Sequence, residues 1–178
     1  LDVVLNLNIV MGYAKSLREK SVDNVVIEDA RVSAKIVPTP IPLLDSLPAN
    51  VDVAGAEVEL VYQRNRDRIL KTALEEVKDR YDYIFIDCPP SLGLLTINAW
   101  AASDSLIIPL QSEYYALEGV SQLMNTISMV KQHLNPQLTI EGVVITMYGG
   151  RATVSKQIAA EIKKFFKSKL YEIIIPRK

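Results

Sequence analysis

The chain has 178 residues, the size of one ordinary domain, and 23% of them are charged. With 20 basic and 21 acidic residues the net charge is −1, which excludes an overall positive field and leaves nucleic-acid binding to a local patch. One cysteine and one histidine exclude an intramolecular disulfide and a Cys/His zinc site. No apolar run approaches the roughly 18–20 residues of a spanning helix, so we expect no membrane association.

The first fifty residues give a weak pattern. LDVVLNLNIV, residues 1–10, is compatible with a buried strand or with the start of a helix. Residues 21–30 predict a short helix, with Ser21 as its candidate cap. Four prolines between residues 38 and 48 predict loop and short strand there. Because the chain starts inside an apolar stretch without methionine, we expect a fragment truncated at both ends.

Helical and strand patterns alternate from residue 57 onward. Apolar residues at helical spacing predict helix up to Arg80, and YDYIFID at 81–87 predicts a buried strand. Further helices are predicted at 94–102, 116–133 and 154–166, and further strands at 105–110, 142–147 and 171–176. This alternation predicts an α/β fold with a mostly parallel sheet and helices on both faces. We expect residues 1–178 to form a single partial domain.

Asp87 closes the apolar run YDYIFID, which is the Walker B arrangement. A carboxylate at the carboxyl end of a parallel strand can hold Mg²⁺ or its water shell beside nucleotide phosphates. The alternative is an aspartate that caps the following turn, and the isolated pattern favours that alternative. The neighbouring motifs therefore decide the interpretation.

Several segments around Asp87 carry a family pattern. They are LPANVDVAGAEVELV, DCPPSLGLLTINA, SDSLIIPLQSEYYALEG, EGVVITMYGGR and IIIPR. Together they resemble the ParA/Soj family of chromosome and plasmid partition ATPases. The resemblance implies a P-loop NTPase-like fold, ATP and Mg²⁺ as cofactors, a homodimer, non-specific DNA binding and a ParB-type partner. It also implies a cytoplasmic, nucleoid-associated protein.

The resemblance also implies roles for individual residues at the nucleotide. Asp87 matches the Walker B aspartate that serves the metal. Asp2 aligns with the second aspartate of the family motif D-L-D-P-Q-G-N and would be catalytic, although the next three residues differ; the alternative is a solvated terminal residue. The residues that would face the nucleotide are Pro89, Pro90, Ser91, Pro176 and Arg177.

A basic stretch near the end of the chain is a candidate DNA contact. Arg151 matches a family arginine implicated in DNA binding, and Lys156, Lys163 and Lys167 share a helical face by their spacing. Such a face can neutralise phosphates without reading bases. The alternative is an ordinary solvated helix face.

The family's phosphate-binding loop, K-G-G-x-G-K-T, does not occur in residues 1–178, so the expected fold lacks the P-loop strand. Backbone N–H groups and the lysine of that loop normally hold the phosphates. We therefore expect weak or no ATP hydrolysis by these residues alone. Two hypotheses stay open: a partition ATPase whose loop lies upstream, or a degenerate, non-hydrolysing member that binds DNA or a partner.

Overall fold

The computed structural model describes residues 22–28, 30–49, 53–89, 91–111, 116–149 and 153–177. The chain divides into two compact units, Leu1–Ser103 and Asp104–Lys178. The single domain expected from the sequence stays a prediction. None of the helices among the described residues is long and apolar enough to cross a membrane.

The first unit is mainly helical in its described part. Its elements are α1 (Val22–Ile27), α2 (Val32–Lys35), β1 (Val37–Pro38), β2 (Asp45–Ser46), α3 (Val53–Leu60), α4 (Ile69–Leu74), a 3₁₀ helix (Lys78–Arg80) and α5 (Leu94–Ala102). Strands β1 and β2 pair antiparallel across the proline-rich segment, which confirms the prediction of loop and short strand. Proline cannot donate to a sheet ladder, so such strands stay short.

A small apolar cluster holds the first unit together. Val25, Val32 and Val77 are buried, and Leu74 and Tyr81 pack against them. Helix α5 packs on α4, and its tryptophan, Trp100, is buried. Burial of such side chains stabilises the unit by about 1.5–3 kcal/mol each as an upper estimate.

The helix predicted up to Arg80 is interrupted in the structure. Between α3 and α4 lie turns over residues 61–68, where the sequence is largely polar. Asn65 has a left-handed backbone with φ 53°, which an α-helix cannot accommodate, and asparagine tolerates it better than most residues. The Arg66 guanidinium donates to the Val61 carbonyl at 2.8 Å and so closes this turn.

The buried strand predicted at 81–87 is wrong in this structure. Residues 83–89 have no regular secondary structure, and Tyr83 and Phe85 are 80% and 82% exposed. A strand needs a neighbour for its backbone hydrogen bonds, and among the described residues none pairs with this segment. The segment is anchored at its start, where the Tyr81 hydroxyl donates to Asp45 Oδ2 at 2.8 Å.

The second unit is a parallel sheet with helices. Its elements are β3 (Ser105–Gln111), α6 (Ala116–His133), β4 (Thr139–Tyr148), α7 (Thr153–Phe166), a 3₁₀ helix (Lys167–Lys169) and β5 (Leu170–Pro176). The strand order is β3-β4-β5, and both pairs are parallel. Helix α7 packs on β4, β5 and α6. The parallel α/β class predicted from the sequence is confirmed.

One face of this sheet is the buried one. Ile108 and Val143 are register partners and both are buried, whereas Ile107 on the opposite face is half exposed. Val143 and Ile145 are also buried beneath the helices, in line with the apolar alternation of a strand. The carboxyl ends of all three strands meet at one edge, which is where parallel sheets bind ligands.

Candidate functional site

Asp87 lies near the end of the irregular segment in the first unit. Asp87 is solvent-exposed, yet the surrounding atoms desolvate its carboxyl group enough to raise the pKa of that group. Desolvation causes this shift, because it disfavours the charged form of the carboxyl group. A cation placed beside Asp87 would lower that pKa again.

Cys88 follows directly and is half buried. Burial, and then the negative charge of Asp87, raise the pKa of its thiol to about 11. Its sulfur lies 3.7 Å from the Ile86 carbonyl, to which the thiol donates. A thiol that stays protonated at neutral pH is a poor nucleophile.

The turn after Asp87 leads into helix α5. Pro89 is half buried and Ser91 is exposed, while Pro90 lies outside the described residues. The Thr96 hydroxyl donates to the Ser91 carbonyl at 2.6 Å, so the turn is tied to the first turn of the helix. Asp87, Pro89 and Ser91 thus follow one another closely along the chain, just before helix α5.

Gly93 is the N-cap residue of helix α5 and has no side chain with which to cap it. The carboxylate of Glu57, from helix α3, occupies this place instead. Its Oε1 accepts a long hydrogen bond, 3.5 Å, from the backbone N–H of Leu95. A negative charge at a helix amino terminus is favourable. Sequence reasoning missed Glu57, because a cap supplied from 36 residues away leaves no local pattern.

Asn98 joins the same helix to the chain around α4 by hydrogen bonds. It is 1% exposed, and its Oδ1 accepts from the Leu70 N–H at 3.2 Å. Its amide group donates to the carbonyls of Arg66 and Leu94. Buried polar groups with all partners satisfied fix one arrangement, so α5 is a rigid support for the loop that precedes it.

Pro176 and Arg177 lie in the second unit. Pro176 ends strand β5 opposite Tyr148, and the Arg177 N–H donates to the Tyr148 carbonyl at 3.3 Å. Both side chains are exposed at the carboxyl edge of the parallel sheet. Their predicted place near a nucleotide stays a prediction.

The candidate DNA-binding residues are only partly described. Lys163 lies exposed in the last turn of α7, and Lys167 lies exposed at the start of the 3₁₀ helix that follows. Lys164 between them pairs with Glu161 at 2.7 Å. Arg151 and Asp2 lie outside the described residues, as does the side chain of Lys156.

Comparison with known sequences places the chain in a family. A sequence family described as an AAA domain matches residues 1–140. The sporulation initiation inhibitor protein Soj of Bacillus subtilis is 52% identical over 167 residues, which cover 94% of this chain and 66% of Soj. The chromosome partitioning protein ParA of Myxococcus xanthus is 50% identical over 170 residues, 93% of this chain and 60% of that protein.

The solved structures agree with this placement. Cobyrinic acid a,c-diamide synthase from Mycobacterium smegmatis, solved with bound ADP and magnesium, matches with a TM-score of 0.86 and 38% identity over 97% of this chain and 70% of that one. The chain belongs to the ParA/Soj family of partition ATPases, within the AAA domain family. It spans less than two thirds of the length of the two curated relatives.

Magnesium, which the family implies, fits the residues at Asp87. Among the described residues no three His, Cys, Asp or Glu side chains gather as a complete metal cage. Mg²⁺ does not need one, since it keeps several waters and is commonly held by one or two carboxylates together with substrate phosphates. A single carboxylate with a raised pKa is compatible with that mode of binding.

Proposed function

We propose that this chain is part of an ATP- and Mg²⁺-dependent, DNA-associated ATPase that acts in chromosome or plasmid segregation. The 52% identity to Soj carries the proposal. The carboxylate of Asp87, at the end of the segment that resembles Walker B, supports it. We propose a homodimer that works with a ParB-type partner in the cytoplasm, on the nucleoid.

Asp87 is the residue that would hold the metal, directly or through its water. When bound there, Mg²⁺ would supply positive charge that offsets the negative charge of the nucleotide phosphates. Asp87 must be ionised for this task. A cation beside Asp87 would offset the solvation cost that raises the pKa of this carboxyl group, so it would favour the ionised form.

The resemblance gives Pro89, Pro90 and Ser91 a role at the nucleotide. It gives the same role to Pro176 and Arg177. Asp2 would take the catalytic position that the family motif gives it. These roles rest on the resemblance, and the exposure of Ser91 and Arg177 is compatible with them.

DNA would be held by charge and not by base reading. The chain has a net charge of −1, so an electrostatic contact needs a local group of cations. Lys163 and Lys167 are exposed, and Arg151 and Lys156 would complete the group. Binding of this kind is independent of DNA sequence and falls steeply with salt.

The test is ATP turnover by the full-length protein that carries this chain, with DNA, Mg²⁺ and its ParB-type partner. Asp87→Asn should lower turnover at least about tenfold, as loss of a metal-site residue does. The matched control is Asp82→Asn, an exposed aspartate in the same segment, which should keep wild-type turnover. Equal turnover in Asp87→Asn and wild type would contradict the role of Asp87.

A full-length protein without turnover would point to the second hypothesis. That protein would be a non-hydrolysing member that binds DNA or a partner only. Its DNA affinity would be the same with and without ATP, and Asp87→Asn would leave it unchanged. DNA affinity that rises with ATP argues for the proposed ATPase.

A further inference from the structure

We propose that Glu57 is a positioning residue for Ser91, which follows Asp87 in the chain, and that it acts through the amino terminus of helix α5. The inference rests on the proposed function, since it concerns the loop that would face metal and nucleotide. Glu57 belongs to the upstream helix α3. It is not among the site residues expected from the sequence.

The fit between Glu57 and Gly93 is the first observation. A Cβ on Gly93 would lie 2.8 Å from Glu57 Cδ and 3.0 Å from Oε2, and closer still to Oε1. Gly93 has φ −87°, an angle open to any residue, so its backbone does not require glycine. Glycine is suited to this position because the carboxylate fills the space of a side chain.

The hydrogen bonds beyond Gly93 are the second observation. Glu57 accepts from the Leu95 N–H, Thr96 in the same helical turn donates to the Ser91 carbonyl, and Ile97 N–H donates to the Gly93 carbonyl at 3.0 Å. The Glu57 carboxylate therefore stabilises the first turn of α5, and Thr96 in that turn holds Ser91. Asn98 holds the helix behind it, so a change at Glu57 is felt in the loop and not taken up by a tilt of α5.

The first measurement is amide exchange over residues 91–97, which needs no ligand. Glu57→Ala should speed exchange there about fivefold, the effect of losing a typical helix cap. Glu57→Gln keeps an acceptor without charge and should fall between Ala and wild type. The control Glu59→Ala, an exposed glutamate on the same helix, should leave exchange unchanged.

A double-mutant cycle tests the contact itself. Gly93→Ala should push the Glu57 carboxylate aside and speed exchange as Glu57→Ala does, because the far end of a flexible side chain yields first. The double variant should then be no faster than Glu57→Ala alone. Additive effects, or a Glu57→Ala variant with wild-type exchange, overturn the inference.

The second measurement is Mg·ADP affinity of the full-length protein. Glu57→Ala should weaken binding about fivefold, with partial rescue by Glu57→Gln. Val25→Ala removes core packing elsewhere in the unit and should lower the melting temperature without changing the affinity. This control separates positioning from general loss of stability.

The two measurements separate failure of the proposed function from failure of the role of Glu57. A wild type that binds no Mg·ADP contradicts the proposed function, while amide exchange still decides the role of Glu57. A wild type that binds, an Asp87→Asn variant that binds weakly and a Glu57→Ala variant with wild-type affinity keep the function and overturn the inference.

Discussion

Ionised Asp87 is less well solvated in the folded chain than in the unfolded chain. The free energy of unfolding therefore depends on pH. Burial raises its pKa in the folded chain above the ordinary value of about 3.9. Between the unfolded and folded pKa values the folded state binds more protons, so stability falls as pH rises through that window and stays lower above it. Metal-free protein is therefore slightly destabilised by this carboxylate at neutral pH.

Asp87→Asn should raise the free energy of unfolding at pH 7 by up to about 0.5 kcal/mol, the range of surface substitutions. The variant removes a charge that folding partly desolvates. Urea denaturation without Mg²⁺, from pH 4 to pH 7, measures it, and Asp82→Asn is the control. A variant less stable than wild type at pH 7 would contradict this account.

The Cys88 thiol should react slowly with alkylating agents at neutral pH. Its pKa of about 11 leaves little thiolate, which is the reactive form. The rate of iodoacetamide labelling should keep rising with pH beyond pH 9. Cys88→Ser provides the blank, and a rate that levels off near pH 8.5, the ordinary thiol value, would be inconsistent with burial.

At the scale of single elements, the second unit followed from its sequence. Strand β3, helix α6 and helix α7 form where apolar spacing predicts them, because their faces pack within neighbouring stretches of chain. The segment 81–87 has equally strong strand residues and is not a strand. Pairing is a property of two segments, and a pattern in one of them predicts only half of it.

The candidate site, too, could be predicted from the sequence only in part. The sequence alone predicts Asp87 and Ser91 as site residues, because both belong to one continuous motif. Glu57 and Asn98 could not be predicted in this way. Their partners lie 38 and 28 residues away along the chain, and only the packing of helices brings them together.

Two glycines in the second unit should respond oppositely to alanine. At Gly142 in β4 a Cβ would lie 2.5 Å from the ring of Tyr171, which is partly exposed and can shift, so Gly142→Ala should cost about 1 kcal/mol, the low end of overpacking. At Gly119 in α6 a Cβ meets nothing within 4 Å, and Gly119→Ala should stabilise by about 0.5–1 kcal/mol. Thermal unfolding of both variants measures the contrast, and equal signs would contradict the packing of Tyr171 on Gly142.

At the scale of the whole molecule, the near-neutral net charge means that the proposed DNA binding would depend on a few cations. The double substitution Lys163→Gln and Lys167→Gln should weaken binding equally for any DNA sequence. It should also lower the slope of log affinity against log salt by about 2, one unit for each phosphate contact. Fluorescence anisotropy across a salt series of the full-length protein measures both.

The control for this substitution is Lys71→Gln, which removes an exposed lysine from α4 in the first unit. It should leave the salt slope as it is in wild type. Equal slopes in the double variant and in wild type would assign the two lysines to the ordinary solvated face.

Trp100 gives the first unit an optical signal of its own. It is the chain's one tryptophan, and it lies buried in α5 of the first unit. Its emission maximum therefore reports the unfolding of residues 1–103, whereas far-ultraviolet circular dichroism reports the helices of both units. Melting curves that coincide by the two methods would mean that the units unfold as one, and curves that separate would give each unit its own transition temperature.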